Sequence, residues 1–169
     1  MPDARAVSAA QPDSDPGTAG VIARPPLIFL GSLLIGLLLD RVLRLPLPIP
    51  GLALRPWMVG GPLILVGLAL MAAGMRNFSR AGTPVPSIRP TRALVTTGIH
   101  GRSRNPIYVG MFLVYGGIGV AVPSPWTLIL TLPLVITIRY GVVAREEAYL
   151  ARRFGDAYRD YAARVRRWL

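Results

Sequence analysis

The chain has 169 residues, a formal net charge of +11, a 52% hydrophobic content and no cysteine. That length suits one domain, and the lack of cysteine excludes disulfides, thiol nucleophiles and thiolate metal sites. All 19 basic residues are arginine, and most fall in two stretches, Arg76 to Arg104 and Arg139 to Arg167, so the charge reads first as membrane topology and lipid-headgroup contact. Nucleic acid is not an expected partner, because the aromatic interleaving and recognition modules it needs are missing.

Residues 1–20, MPDARAVSAAQPDSDPGTAG, predict a disordered tail and not a signal peptide, since acidic residues dominate and no apolar stretch follows directly. Residues 21–75 predict two transmembrane helices. The first centres on Leu27 to Leu39 and the second on Trp57 to Met75. The second is uncharged and long enough to cross roughly 30 Å of hydrocarbon at about 1.5 Å per residue. Gly60, Gly67 and Gly74 recur every seventh residue on it, which marks a face for close helix packing. Ser32 and Gly36 offer a weaker pair on the first helix.

Residues 76–169 predict a cytosolic loop, a hairpin of helices 3 and 4, and a C-terminal amphipathic helix. The apolar blocks Ile107 to Val122 and Trp126 to Ile138 are joined by the uncharged tip Pro123-Ser124-Pro125, so they must run antiparallel. The fold class is thus an all-α integral membrane protein with four transmembrane helices. By the positive-inside rule the 76–106 loop and both termini face the cytoplasm. Gly116, Gly117 and Gly119 lie inside an apolar helix with no strand before them and read as packing, not as a nucleotide loop.

The hairpin brings chemistry to one end. Helix 3 opens with GIHGRSRNPIYVG, Gly98 to Gly110, in which arginines beside a helix N-terminus suit an anion. His100 is the only histidine and reads as structural more readily than as a base. Helix 4 runs through Arg139 to Glu146 and Glu147, the only glutamates in the chain. Seven residues separate Arg139 from Glu146, two α-helical turns, which predicts that both line one slot; the bland alternative is that Arg139 snorkels and the glutamates neutralise nearby arginines. One histidine and two adjacent glutamates cannot surround a transition metal. Beyond them, YLARRFGDAYRDYAARVRRW predicts an interfacial helix broken near Gly155.

GTPVPSIRPTRALVTTGIHGRSRNPIYVG followed by REEAYLARRFGDAYRDYAARV resembles the isoprenylcysteine carboxyl methyltransferase family and its relatives, the membrane phospholipid methyltransferases. The matching positions are Leu94, Val95, Gly98, Arg104, Pro106, Tyr108, Gly110, Glu146, Glu147, Leu150, Phe154, Gly155, Tyr158 and Tyr161, across residues 76 to 166. Two positions depart: Asn105 stands where the family has histidine, and His100 where it has an upstream tyrosine.

The resemblance implies methyl transfer from S-adenosylmethionine to a lipophilic small molecule or prenylated substrate, most simply a carboxylate. It implies cofactor contacts from Leu94, Val95, Gly98, His100, Arg104, Asn105, Pro106, Tyr108, Glu146 and Glu147, with Arg104, Glu147 and Arg139 at the reacting groups. Two alternatives stay open at the level of sequence, a lipid reductase using a nicotinamide cofactor and a non-catalytic protein that binds anionic lipid through its arginine-rich tail.

Overall fold

Proline opens each of the four apolar helices, at a first-turn position where its lost N–H is harmless and its fixed φ suits the helix. In the computed structural model, which describes residues 7–8, 19–45, 55–86 and 89–169, these are α1 (Pro25–Val42), α2 (Pro56–Arg80), α3 (Pro106–Ala121) and α4 (Pro125–Ile138). A π-helical segment, Arg139–Val143, joins α4 without a break to α5 (Ala144–Phe154), and α6 (Asp156–Arg164) follows. The only other regular elements described are a short 3-10 turn, Gly98–Gly101, and an antiparallel pairing of β1 (Val7–Ser8) with β2 (Ala93–Leu94). The expectation of a disordered tail over 1–20 falls outside the described residues except at 7–8, which form that pairing, and at 19–20.

Among the described residues, three helices are long and apolar enough to cross a membrane: α1, α2 and the continuous Pro125–Phe154 helix; α3 is a shorter apolar helix. Leu27, Leu34 and Leu38 of α1, Leu65 and Val66 of α2, and Leu132 and Ile136 of α4 are exposed. A helix satisfies its own backbone groups, so such apolar faces suit lipid contact.

The glycine stripe of α2 meets α3. A Cβ at Gly67 would lie 2.6 Å from the Gly110 carbonyl oxygen, and one at Gly74 2.6 Å from Ile107 Cγ1. The stripe has a counterpart on α3, where Gly110 and Gly117 are themselves seven residues apart and face Met71 and Ile64. Small residues on both helices let the backbones approach closely enough for dispersion to hold them. Helix α1 uses Gly36 in the same way against Thr127 of α4.

The helices alternate in direction. At one end Asp40 of α1 accepts from Ser124 Oγ and from the Trp126 N–H (3.4 Å), while Trp126 Nε1 donates to the Leu43 carbonyl at 2.6 Å. Ser124 also caps α4 by accepting from the Thr127 N–H, as an N-cap serine does. At the other end Ile22 donates to the Gly141 carbonyl (3.2 Å) and Arg145 to the Gly20 carbonyl (2.8 Å). The start of α1, the end of α2, the start of α3 and α5 therefore gather at one end.

Helices α5 and α6 do more than lie on a surface. Gly155 turns the chain between them with φ +54° and ψ −127°, a conformation open in practice only to glycine. The turn lets Phe154, Tyr158 and Tyr161 pack with Leu94 of the loop in a second apolar cluster, apart from the one formed by Phe29, Tyr108, Met111, Tyr115, Leu134, Ile138, Val142 and Val143.

Candidate functional site

The loop after α2, the N-terminus of α3 and helices α5 and α6 enclose a cleft with about 630 Å³ of atom-free space, part of it open to solvent. Of the residues implied by the sequence resemblance, Leu94, Val95, His100, Arg104, Asn105, Pro106, Tyr108, Glu146 and Glu147 line the cleft. Gly98 and Arg139 do not.

The two glutamates face different partners. Glu146 is buried, and Tyr108 donates its hydroxyl to Glu146 Oε1 at 2.8 Å, across from α3 to α5. Glu147 receives a two-pronged pair from Arg167, with Nε to Oε1 and Nη2 to Oε2 both at 2.8 Å, and lies 3.4 Å from Arg104 Nη2. Fork-on-carboxylate geometry of this kind is strong and directional. The Glu147 carboxylate holds the Arg167 proton more firmly and raises that guanidinium's pKa.

Arg167 reaches Glu147 because the chain reverses after α6. The Arg104 N–H donates to the Arg166 carbonyl at 2.9 Å, and the Asn105 side-chain amide donates to the Arg167 carbonyl at 3.0 Å. Trp168 then packs against the main apolar cluster and meets Phe112 edge-on. The segment from Val165 thus ties down over the start of α3. Sequence reasoning missed it, since an Arg167–Glu147 contact across twenty residues leaves no local signal in VRRWL.

His100 is a buried structural residue. Its ring lies edge-on to Phe78, its carbonyl accepts from the Tyr161 hydroxyl at 2.7 Å, and the Asn77 amide nitrogen sits 3.3 Å from Nδ1. An amide nitrogen can only donate, so Nδ1 accepts and the ring proton belongs on Nε2. Burial lowers the imidazole pKa to about 4, which keeps it neutral at physiological pH. Burial also raises Tyr161, and burial followed by the charge of Glu147 pushes Tyr158 up to about 12; both phenols stay protonated donors.

Gly98 shapes the loop from outside the cleft. Its φ is +59°, and a Cβ there would lie 2.6 Å from the Asn77 amide nitrogen, which donates to the Thr97 carbonyl at 2.8 Å. The slot expected between Arg139 and Glu146 is not formed. The π segment starts at Arg139 and adds a residue to the turn, so a seven-residue spacing no longer returns to the same face. Arg139 is half-buried and stacks on Tyr140, with its guanidinium 5.5 Å from the ring centre.

Thr91, Phe78, Leu150, Tyr158 and Tyr161 also line the cleft. Leu150, Tyr158 and Tyr161 were visible in the motif; Thr91 and Phe78 carried no signal. Among the described residues, Thr91 Oγ1 and Arg104 Nε are buried without a hydrogen-bond partner, and a buried polar atom of that kind asks for one. A polar ligand in the cleft suits both.

Fold and site together define a helical integral membrane protein with a partly open cleft at one end of its bundle. The profile of the "Phospholipid methyltransferase" family matches residues 56–157, and the chain belongs to that family, within the isoprenylcysteine carboxyl methyltransferase-like group. Members of that family are membrane methyltransferases that generally use S-adenosylmethionine. The chain is similar to an uncharacterized protein of Haemophilus influenzae, 51% identical over 35 residues covering 21% of this chain and 56% of that protein. It is also similar to the nickel-cobalt-cadmium resistance protein NccN of Alcaligenes xylosoxydans xylosoxydans, 37% identical over 77 residues covering 46% of this chain and 36% of that protein. The matched stretches thus span about half and about a third of those relatives. No solved structure matches.

Proposed function

We propose that the chain is an S-adenosylmethionine-dependent methyltransferase that crosses the membrane four times and methylates a lipophilic acceptor, a carboxylate of the prenylcysteine type. The observation that carries the reading is the pair Glu146 and Glu147 beside Thr91 Oγ1 and Arg104 Nε, polar groups gathered in a cleft whose other walls include Leu94, Val95, Pro106 and Leu150. Helix α3, about 24 Å long at its 16 residues, is the fourth span with its flanking residues. The positive-inside rule puts the cleft, both termini and the 76–106 loop on the cytoplasmic side. Residues 21–75 act as scaffold and 76–169 as the methyltransferase core. The reductase and lipid-anchor alternatives leave the family membership unexplained.

When bound, S-adenosylmethionine would supply a sulfonium methyl already activated for transfer. The chain's residues then need only bind, align and exclude water. Glu146 and Glu147 would accept from amino or ribose hydroxyl groups, Arg104 would face the cofactor's carboxylate, and Leu94, Val95, Pro106 and Tyr108 would wall the pocket. The tail from Val165 would close it. Arg139, outside the cleft, would orient an anionic group of the substrate from the membrane side. Asn105 and neutral His100 supply no proton acceptor near neutral pH, and an acceptor that arrives as a carboxylate needs none.

Calorimetric titration of the detergent-purified protein with S-adenosylhomocysteine tests this, beside Glu147→Gln and a nicotinamide dinucleotide control. Saturable binding by the native chain, weakened about tenfold or more in the variant, is the expected result. A folded native chain that binds the nicotinamide cofactor, or binds neither, refutes the proposal.

A further inference from the structure

On the far side of the loop from the cofactor cleft lies a second cavity, with about 790 Å³ of open space, lined by Gly82, Pro84, Arg89, Pro90, Arg92 and Arg153. Among the described residues, three of the six that line it are arginines and none is acidic. The two sites stand back to back because the loop is extended there. Thr91 and Ala93 are buried and line the first cleft, while Arg92 between them is exposed and lines the second, as alternating side chains on an extended strand do.

The arginines are held in a braced frame. The buried Thr83 Oγ1 accepts from the N–H groups of Arg92 (2.7 Å) and Ala93 (3.3 Å), which fixes the loop against the turn that follows α2. The Thr91 N–H donates to the hydroxyl of Tyr149, a fully buried residue of α5, at 3.0 Å. Arg153 lies four residues, one turn, beyond Tyr149 on that helix. One hydrogen bond therefore sets the spacing between the arginines of the loop and the arginine of α5.

The depth of the cavity identifies what would fill it. The apolar run of α2 ends at Met75 and the helix at Arg80, about 7.5 Å further along the axis. Gly82, with φ +62°, then turns the chain. The cavity thus sits where the span leaves the hydrocarbon, at the level of the headgroups, and a triad of planar, permanently charged donors at that depth matches a phosphodiester.

We infer that Arg89, Arg92 and Arg153 form a binding site for the phosphodiester of an anionic phospholipid of the surrounding membrane. The site is separate from the methyl-transfer cleft and rests on the membrane placement of α2, not on the proposed reaction. Such a lipid fixes the loop 82–93 relative to the bilayer surface.

The test uses the full chain, purified in detergent and stripped of lipid, titrated with short-chain phosphatidylglycerol and followed by native mass spectrometry. At about fivefold in affinity per arginine near a lipid phosphate, Arg89→Gln/Arg92→Gln loses at least about tenfold, and adding Arg153→Gln loses more. A control of equal charge, Arg102→Gln/Arg152→Gln at exposed positions outside the cavity, loses less than about twofold. Both altered loop positions are exposed, so the double variant decides the matter even where Arg153→Gln fails to fold. Equal losses in variant and control would reduce the effect to diffuse surface attraction and overturn the site. So would an unaltered affinity in the double variant, or displacement of the lipid by millimolar inorganic phosphate, which would mark a free-anion pocket.

Discussion

Replacing Arg167 by glutamine removes the fork that ties the tail to Glu147 while leaving the backbone bonds from Arg104 and Asn105 in place. The side chains of Glu147 and Arg167 are 15% and 31% exposed, so the pair is neither a solvated surface bridge, worth up to about 1 kcal/mol, nor a fully buried one, whose rupture costs about 3–5 kcal/mol. Two charge-assisted bonds at 2.8 Å in that setting argue for a net loss of about 1.4 kcal/mol, and hence a tenfold rise in the population with the tail open. The Arg104 amide reports on that opening, because its N–H is held by the Arg166 carbonyl. Hydrogen exchange of the peptide carrying Arg104 should quicken about tenfold in the variant, with exchange in the interior of α2 unchanged. Acceleration below about twofold would mean that the fork adds nothing to closure and that Trp168 and the backbone bonds hold the tail alone.

Two further outcomes follow from the same structure. Gly67→Ala puts a Cβ 2.6 Å from the Gly110 carbonyl and 2.9 Å from the Val114 nitrogen, backbone atoms that cannot step aside, whereas Gly61→Ala meets nothing within 4 Å. The first should lower the thermal midpoint in detergent through a loss of about 1–3 kcal/mol, and the second should hold or raise it. His100, depressed from 6.5 to about 4 in the folded chain, takes up its proton more readily when unfolded. Its contribution is complete above pH 6.5 and is lost as pH falls from there toward 4. Melting from pH 7.5 down to 4.5 should show the native midpoint falling more steeply than that of His100→Gln, and parallel curves would contradict this reading of the histidine.

The sequence made some parts legible for physical reasons. A glycine every seventh residue is meaningful only if a helix presses on it, so the packing face of α2 could be read before its partner on α3 was known. The α3–α4 hairpin followed from a two-proline tip too short for any other connection. The break at Gly155 was visible because an amphipathic pattern changed phase at a residue that tolerates positive φ. What stayed hidden depends on alternatives with equal local propensity. RYGVV reads as α-helix or π-helix alike, yet the choice decides that Arg139 leaves the face of Glu146. The reversal after Arg164 depends on a fork twenty residues away in sequence, and no periodicity encodes it.

The departure at Asn105 gains a physical meaning from these contacts. A histidine there could carry a proton; the asparagine carries none, and its amide is committed to the Arg167 carbonyl. The other imidazole in the chain, His100, is held neutral by burial and engaged by Asn77. At Asn105 a group suited to proton transfer is thus replaced by one that holds the tail in place, and at His100 burial makes the imidazole a neutral part of the loop. In the proposed reaction an acceptor that arrives as a carboxylate would need no base from either position.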